Sequence, residues 1–209
     1  KPIRIGANWG SLSKENIDKL VKHKENKEDN ISYSNLMKKY LIDSVVSSAS
    51  KAISLGLPED KIVLSCKTSN VQDLISVYEE IAKKSNHPLH IGLTEAGIGR
   101  DAIISSVSAM SVLLNKGIGD TIRVSLTPES ADVRTEEVEV CQQILSSLNI
   151  RNYKPKVISC PGCGRTSNTY FVELSKNIKS LVKNNMSTWK SKYPGVENLT
   201  VAVMGCIVN

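Results

Sequence analysis

Cys160 and Cys163, in the run Cys160-Pro161-Gly162-Cys163-Gly164-Arg165-Thr166, and Cys206, in Met204-Gly205-Cys206, are the residues of this chain most suited to chemistry. Two cysteines separated by two residues let one loop present both thiolates to a single centre, and Cys206 brings a third soft ligand from far downstream. Thiolates select zinc or iron-sulfur centres. The Cys-x-x-Cys spacing is shared by thioredoxin-like redox pairs and zinc knuckles. The odd number narrows the choice, because three thiols complete neither a four-cysteine zinc site nor a set of disulfides. The fourth ligand is missing or is not a cysteine.

A second group of residues carries charge where burial is expected. Arg4, Lys67, Glu95 and Arg123 lie in or at the end of runs otherwise built of Ile, Val and Leu, where an unpaired charge costs several kcal/mol. Each either pairs with a neighbour, reaches solvent, or serves a ligand. In a (β/α)8 barrel, polar residues at the C-terminal ends of strands face the mouth. Strands ending in Asn8, Lys67, Glu95 and Ser125 fit one shared site of that kind.

The elements that must position these groups follow from periodicity. Residues 2–7 read as a strand, 8–11 as a loop, 14–24 and 34–55 as helices, 61–67 as a strand and 70–84 as a helix. The unit then repeats, with strands over 88–95 and 120–126 and helices over 100–115 and 135–148. Strands alternating with helices predict a parallel sheet with helical crossovers. Residues 150–156 read as a linker. Beyond it come strand 157–159, the Cys-x-x-Cys loop, helix 169–190, a turn at Tyr193-Pro194-Gly195 and strand 199–204. The expected domains are therefore 1–149 and 150–209.

Composition excludes several functions. The chain of 209 residues is 40% hydrophobic, and no apolar run approaches the ~18 residues of a membrane span. A net charge of +6 is spread over helical surfaces, and nine aromatic residues offer little for bases to stack on, which argues against nucleic acid. Five cysteines, an odd count, fit a reducing cytoplasm. His23, His87 and His90 have no ligand spacing and read as surface or core residues. Gly97-Ile98-Gly99 and Gly117-Ile118-Gly119 do not complete a dinucleotide-binding loop and read as turns. Cys66 alternates away from the face that Lys67 uses, Cys141 falls within a helix, and both read as core thiols. Arg165 either donates to a cluster sulfur or starts a helix.

The runs Lys1 to Ser11, Cys160 to Thr166 and Met204 to Asn209 together resemble the 4-hydroxy-3-methylbut-2-enyl diphosphate synthase family, iron-sulfur enzymes of the non-mevalonate isoprenoid pathway. The resemblance covers the whole chain. It implies an α/β fold, the second half of a (β/α)8 TIM barrel followed by the start of a smaller α/β iron-sulfur domain similar to that of sulfite and nitrite reductases. In that family Ile207-Val208-Asn209 continue into Gly-Pro-Gly-Glu, whose glutamate is the fourth cluster ligand. The expectation is thus an internal piece of a longer protein, lacking four barrel strands and inactive alone.

By the same resemblance, Cys160, Cys163 and Cys206 hold a [4Fe-4S] cluster, and Arg4, Asn8, Lys67, Arg123 and Ser125 bind the diphosphate. Glu95 matches a carboxylate beside the reacting carbon, either a proton donor or a salt-bridge partner of Arg4 or Arg123. The implied reaction is the two-electron reductive opening of 2-C-methyl-D-erythritol 2,4-cyclodiphosphate to 4-hydroxy-3-methylbut-2-enyl diphosphate with loss of water, with flavodoxin or ferredoxin as donor, in the bacterial cytoplasm. Two other classes use the same residues: a zinc-stabilised phosphate-binding barrel without redox chemistry, and a module that binds an acidic partner. The linker supplies one further expectation. A helix ending near residue 148 returns the chain to the bottom of the barrel, and residues 150–156 reach at most ~25 Å. A cluster so tethered should serve the barrel of a second chain, in a two-fold homodimer with shared sites.

Overall fold

Alternating apolar residues at the start of the chain form β1 (Ile3–Asn8), which pairs in parallel with β2 (Ile62–Lys67) along its whole length, Arg4 opposite Val63 and Asn8 opposite Lys67. The computed structural model describes residues 1–12, 17, 18, 22, 32–128, 135–164, 166 and 169–206. Most of the helix expected over 14–24, together with His23, Arg165 and Ile207, Val208 and Asn209, lies outside the described residues. The chain divides into two compact units, 1–144 and 145–209.

In the first unit α1 (Tyr33–Ser54) lies between β1 and β2 in the chain and buries Leu41, Ile42, Val45 and Ala49. After β2 comes α2 (Val71–Lys84), which buries Leu74, Val77, Tyr78 and Ile81. Its start is set by Asn70, whose side-chain oxygen accepts from the N–H groups of Gln72 and Asp73 at 2.9 and 3.0 Å. Such a cap is worth about 1 kcal/mol, because it satisfies donors that the helix leaves open. The unit continues with β3 (His90–Ile91), α3 (Gly99–Asn115), β4 (Thr121–Ile122) and α4 (Glu136–Ser147).

The strands stand side by side in chain order and are all parallel. β3 meets β2 through the Leu64–Leu89 bridge and the Leu64 N–H to Pro88 carbonyl bond of 2.8 Å, and β4 pairs with β3, His90 opposite Thr121. Both β3 and β4 are shorter than the runs 88–95 and 120–126 expected from sequence. For β3 the cause is Tyr78, whose hydroxyl stands where a β2–β3 ladder bond would form: it accepts from the Cys66 N–H at 3.0 Å and donates to the His90 carbonyl at 2.5 Å. Pairing resumes only at Thr94, whose N–H donates to the Thr68 carbonyl at 3.0 Å. Past β4, the Arg123 N–H still donates to Ile91 at 2.9 Å, but the Leu126 N–H turns to the Glu137 carboxylate at 2.9 Å.

Register then sorts the side chains. Matched positions on neighbouring parallel strands emerge on one face, and successive residues alternate. One face collects Ile62, Leu64, Cys66, Leu89, Ile91, Leu93 and Val124, all buried. The other collects Arg4, Asn8, Lys67, His90, Thr121 and Arg123. Two glycines on this polar face allow the strands to close up. A Cβ on Gly92 would stand 2.4 Å from the Arg123 carbonyl oxygen, and one on Gly6 would stand 3.1 Å from that of Ser65.

In the second unit β5 (Lys156–Ser159) pairs in parallel with β6 (Thr200–Val203), Ser159 opposite Val203, and α5 (Tyr170–Lys192) crosses between them. Phe171, Val182, Val196 and Val203 are buried in its core. The chain leaves α5 through Tyr193-Pro194-Gly195, where Gly195 takes φ +85°, the left-handed conformation that favours glycine.

Candidate functional site

Two groups of candidate side chains lie on or just after parallel strands, one in each unit. In the first unit, Asn8 and Lys67 are the last residues of β1 and β2 and share a register position, while Arg4 lies two pleats deeper, near the start of β1. Arg123 follows β4 directly, and Ser125 comes two residues later. The charges sense one another. Partial burial lowers the Lys67 pKa first, and the guanidinium groups of Arg123 and Arg4 lower it further.

Among the described residues no carboxylate forms an ion pair with Arg4, Lys67 or Arg123; the ion pairs present, such as Lys38–Asp73 and Lys84–Asp43, join exposed or half-exposed side chains elsewhere. Glu95 therefore does not serve as their counter-charge here. It is exposed, in the bend after β3, with φ +53°. A non-glycine residue in the left-handed region is uncommon and concentrates at functional sites.

Sequence reasoning missed His90. It is only 9% exposed, on the same face as the cations, with Nδ1 2.8 Å from the Thr121 hydroxyl. Its Nε2 is buried and without a hydrogen-bond partner among the described residues. Burial, and then the charges of Arg4, Lys67 and Arg123, push its pKa down to about 4, so the ring is neutral at neutral pH. Strand alternation was the available signal, since His90 is two residues from Gly92 and in step with Lys67 across the strands.

In the second unit the parallel pairing of β5 and β6 delivers Cys160 and Met204-Gly205-Cys206 to the same end of the sheet. The Cys160 N–H donates to the Val203 carbonyl at 3.1 Å, and the Gly205 N–H donates to Cys160 Sγ at 3.2 Å. A backbone N–H aimed at a sulfur stabilises its thiolate. Gly205 is sterically required: a Cβ there would lie 2.9 Å from Phe171 Cδ1 and 3.2 Å from Cys160 Sγ. Cys163 is exposed on the adjoining loop, where its N–H donates to the Thr166 hydroxyl at 3.0 Å, and Cys206 is half-buried.

All five cysteines are thiols. Cys66 is fully buried, and burial pushes its pKa up to about 12. Burial also raises that of Cys141. Both are therefore poor thiolate ligands. Among the described residues no three His, Cys, Asp or Glu side chains converge on a single metal ion. Cys160 and Cys206 are half-buried and Cys163 is exposed, and thiolates are the donors that iron-sulfur centres take.

Comparison with protein families decides the kinship. The family model of the GcpE TIM-barrel domain matches residues 1–142, and that of the GcpE protein C-terminal domain matches residues 156–209. The chain belongs to the GcpE family. Its members are the 4-hydroxy-3-methylbut-2-enyl diphosphate synthases, iron-sulfur enzymes of isoprenoid biosynthesis. The boundary between the two GcpE matches falls around the end of α4 and the connector to β5, where the structure also divides. No helix among the described residues is long and apolar enough to cross a membrane.

Proposed function

We propose that this protein opens 2-C-methyl-D-erythritol 2,4-cyclodiphosphate reductively to 4-hydroxy-3-methylbut-2-enyl diphosphate. Two electrons and protons enter, a ring C–O bond breaks, and one hydroxyl leaves as water. The observation that carries this reading is the set of Arg4, Lys67 and Arg123 on one sheet face with no carboxylate paired to them among the described residues. Three clustered cations repel one another, and a bound diphosphate relieves that repulsion with charge-assisted hydrogen bonds, roughly twice as strong as neutral ones.

In this reading residues 1–149 are the second half of a TIM barrel that binds substrate, and 150–209 begin the cluster domain. Arg4, Lys67 and Arg123 grip the diphosphate, and Asn8 and Ser125 donate hydrogen bonds beside them. Glu95 carries the proton that departs with the leaving hydroxyl. Cys160, Cys163 and Cys206 would hold a [4Fe-4S] cluster, which would supply single electrons drawn from flavodoxin or ferredoxin in the cytoplasm. The rest of the chemistry is positioning: the cations fix the diphosphate ends, so that the carbon skeleton between them is presented in one orientation.

The connector that leaves α4 is short. Residues 150–155 span at most roughly 20 Å even when extended, and the path around a ring of barrel helices is longer. The reading therefore includes a two-fold homodimer in which each barrel is served by its partner's cluster domain. Anaerobic assay of ring opening, with iron and sulfide determination on the same sample, tests the function. Stoichiometric iron with product formation supports it; one zinc per chain and no reduction overturns it. Mixed dimers of Lys67→Ala and Cys160→Ser subunits test the sharing, since one intact composite site should return activity.

A further inference from the structure

His90 is anchored at two points that leave its third polar position open. Its carbonyl accepts from the Tyr78 hydroxyl at 2.5 Å, and Nδ1 meets the Thr121 hydroxyl at 2.8 Å. Nε2 is buried and has no hydrogen-bond partner among the described residues. A buried polar atom without a partner is costly and rare in native structures, and calls for a specific cause. Register places this ring on the polar face, beside Gly92 and one pleat below the level of Lys67 and Arg123. Gly92, having no side chain, leaves the space above the ring to the cations and whatever they hold.

A neutral imidazole has one donor nitrogen and one acceptor. When the Thr121 hydroxyl donates to Nδ1, Nε2 carries the hydrogen. An oxyanion held by three cations takes such a donor readily. A fourth cation in that position would add repulsion to the ligand-free site, whereas a neutral N–H binds oxygen without it. The depressed basicity of His90 keeps it in this form.

We propose that His90, oriented by Thr121, donates its Nε2–H to an oxygen of the anionic ligand gripped by Arg4, Lys67 and Arg123. The inference rests on the anion-binding part of the proposed function, and it names a neutral floor to a cationic site. His90 is thus a binding residue, and Thr121 is the positioning residue that acts through it.

Two substitutions separate this role from a structural one. In His90→Asn the amide reaches the place of Nδ1 and retains the Thr121 bond but offers nothing at Nε2; in His90→Gln the amide nitrogen reaches the place of Nε2. Calorimetry with the cyclic diphosphate and with inorganic pyrophosphate should show affinity reduced about tenfold or more in His90→Asn, and close to wild type in His90→Gln. The opposite order, or wild-type affinity in both, overturns the proposal. Titration of the wild-type protein with pyrophosphate, followed by the ¹⁵N resonances of the imidazole, gives a readout that needs no variant. A shift of Nε2 on binding supports the contact, and an unmoved resonance overturns it. If the wild type binds pyrophosphate with the stated order of variants but not the cyclic diphosphate, His90 keeps its role and the substrate assignment falls. If it binds the cyclic diphosphate without regard to residue 90, the assignment stands and this inference falls.

Discussion

The hydroxyl of Tyr78 stands between two strands and is joined to the carbonyl of His90 by a 2.5 Å hydrogen bond, while it accepts from the N–H of Cys66. A helix side chain thereby replaces one rung of the β2–β3 ladder and holds β3, with His90 on the polar face, at a set distance from β2. Burial pushes the phenol far above its ordinary pKa, so it remains a donor at any working pH. Tyr78→Phe strips the partner from one buried N–H and one buried C=O. The expected cost is about 1–3 kcal/mol in denaturant unfolding. An unchanged midpoint would mean that the strands close and pair directly.

Lys67 gives a prediction with two signs. Its pKa in the fold is lowered by burial and by Arg123 and Arg4, so the charged form is less favourable in the folded protein than in the unfolded chain. That penalty is fully present below the folded pKa and fades as pH rises toward the ordinary lysine value. At neutral pH, Lys67→Met should therefore raise the melting temperature of the ligand-free protein while weakening the cyclic diphosphate by about 1.5–3 kcal/mol. Scanning calorimetry and titration calorimetry on one preparation check both halves. A variant that is less stable and binds normally would remove Lys67 from the site. Such a trade of stability for binding is common where charge is concentrated for function.

These two residues show what was legible in the sequence and what was not. Lys67, Arg4 and Arg123 announced themselves as charges inside apolar runs, and strict alternation along β2 was enough to send Cys66 to the helical side and Lys67 to the other. The order of strands and helices in the first unit followed from the same periodicities. Tyr78 is not legible as a wedge, because its effect depends on how α2 packs back across the two strands that flank it in the chain. For the same reason β3 was expected to run on to Glu95. In the sequence His90 reads as a surface or core histidine without ligand spacing; only the register of β2, β3 and β4 places it among three cations. In the second unit the Cys-x-x-Cys spacing was plain, but the need for glycine at Gly205 appears only with Phe171 and Cys160 packed against it.

The thiols divide by environment. Replacement of Cys160, Cys163 or Cys206 by serine should remove most of the cluster iron and the reductive activity. Cys66→Ser should leave iron bound and cost stability, since a smaller, more polar hydroxyl underfills a fully buried site and stands too far from the Leu41 carbonyl that the sulfur meets at 3.8 Å. Cys141→Ser should also leave iron bound. Iron and sulfide analysis of the five variants, with melting curves, decides between the groups; iron loss in Cys141→Ser would overturn the ligand set.

Glu95 is held at φ +53° in the bend after β3. Glu95→Gln keeps the size of the side chain and its hydrogen-bonding reach but cannot carry a proton at neutral pH. It should lower kcat for ring opening by about 10²-fold or more, the usual scale for general acid–base catalysis, with KM little changed. Steady-state kinetics beside substrate titration separates the two parameters. Normal turnover in the variant would leave Glu95 as a loop residue only.

His90 makes stability depend on pH in a defined window. Its folded pKa is about 4, against an ordinary histidine value near 6.5. Between those values the unfolded chain binds a proton that the folded chain refuses, so stability rises with pH through the window. Above pH ~6.5 both states are neutral at this residue and its contribution is level; below pH ~4 both are protonated and the loss is complete. The full difference is about 3 kcal/mol. The groups that set it, besides burial, are Arg4 on β1, Lys67 at the end of β2 and Arg123 beyond β4, all of which stay charged throughout the range. Their repulsion therefore acts at every point of the titration and keeps the lower edge of the window where it is. Carboxylates elsewhere add their own slope at its lower edge, so the comparison must be with His90→Gln, which lacks this titration alone. Urea unfolding at intervals from pH 4 to 7 should show wild-type stability falling with acid more steeply than that of the variant, and the two curves should run parallel above pH 7. Parallel curves throughout would mean that His90 titrates in the fold as it does in the unfolded chain, and that its ring is not enclosed among the three cations.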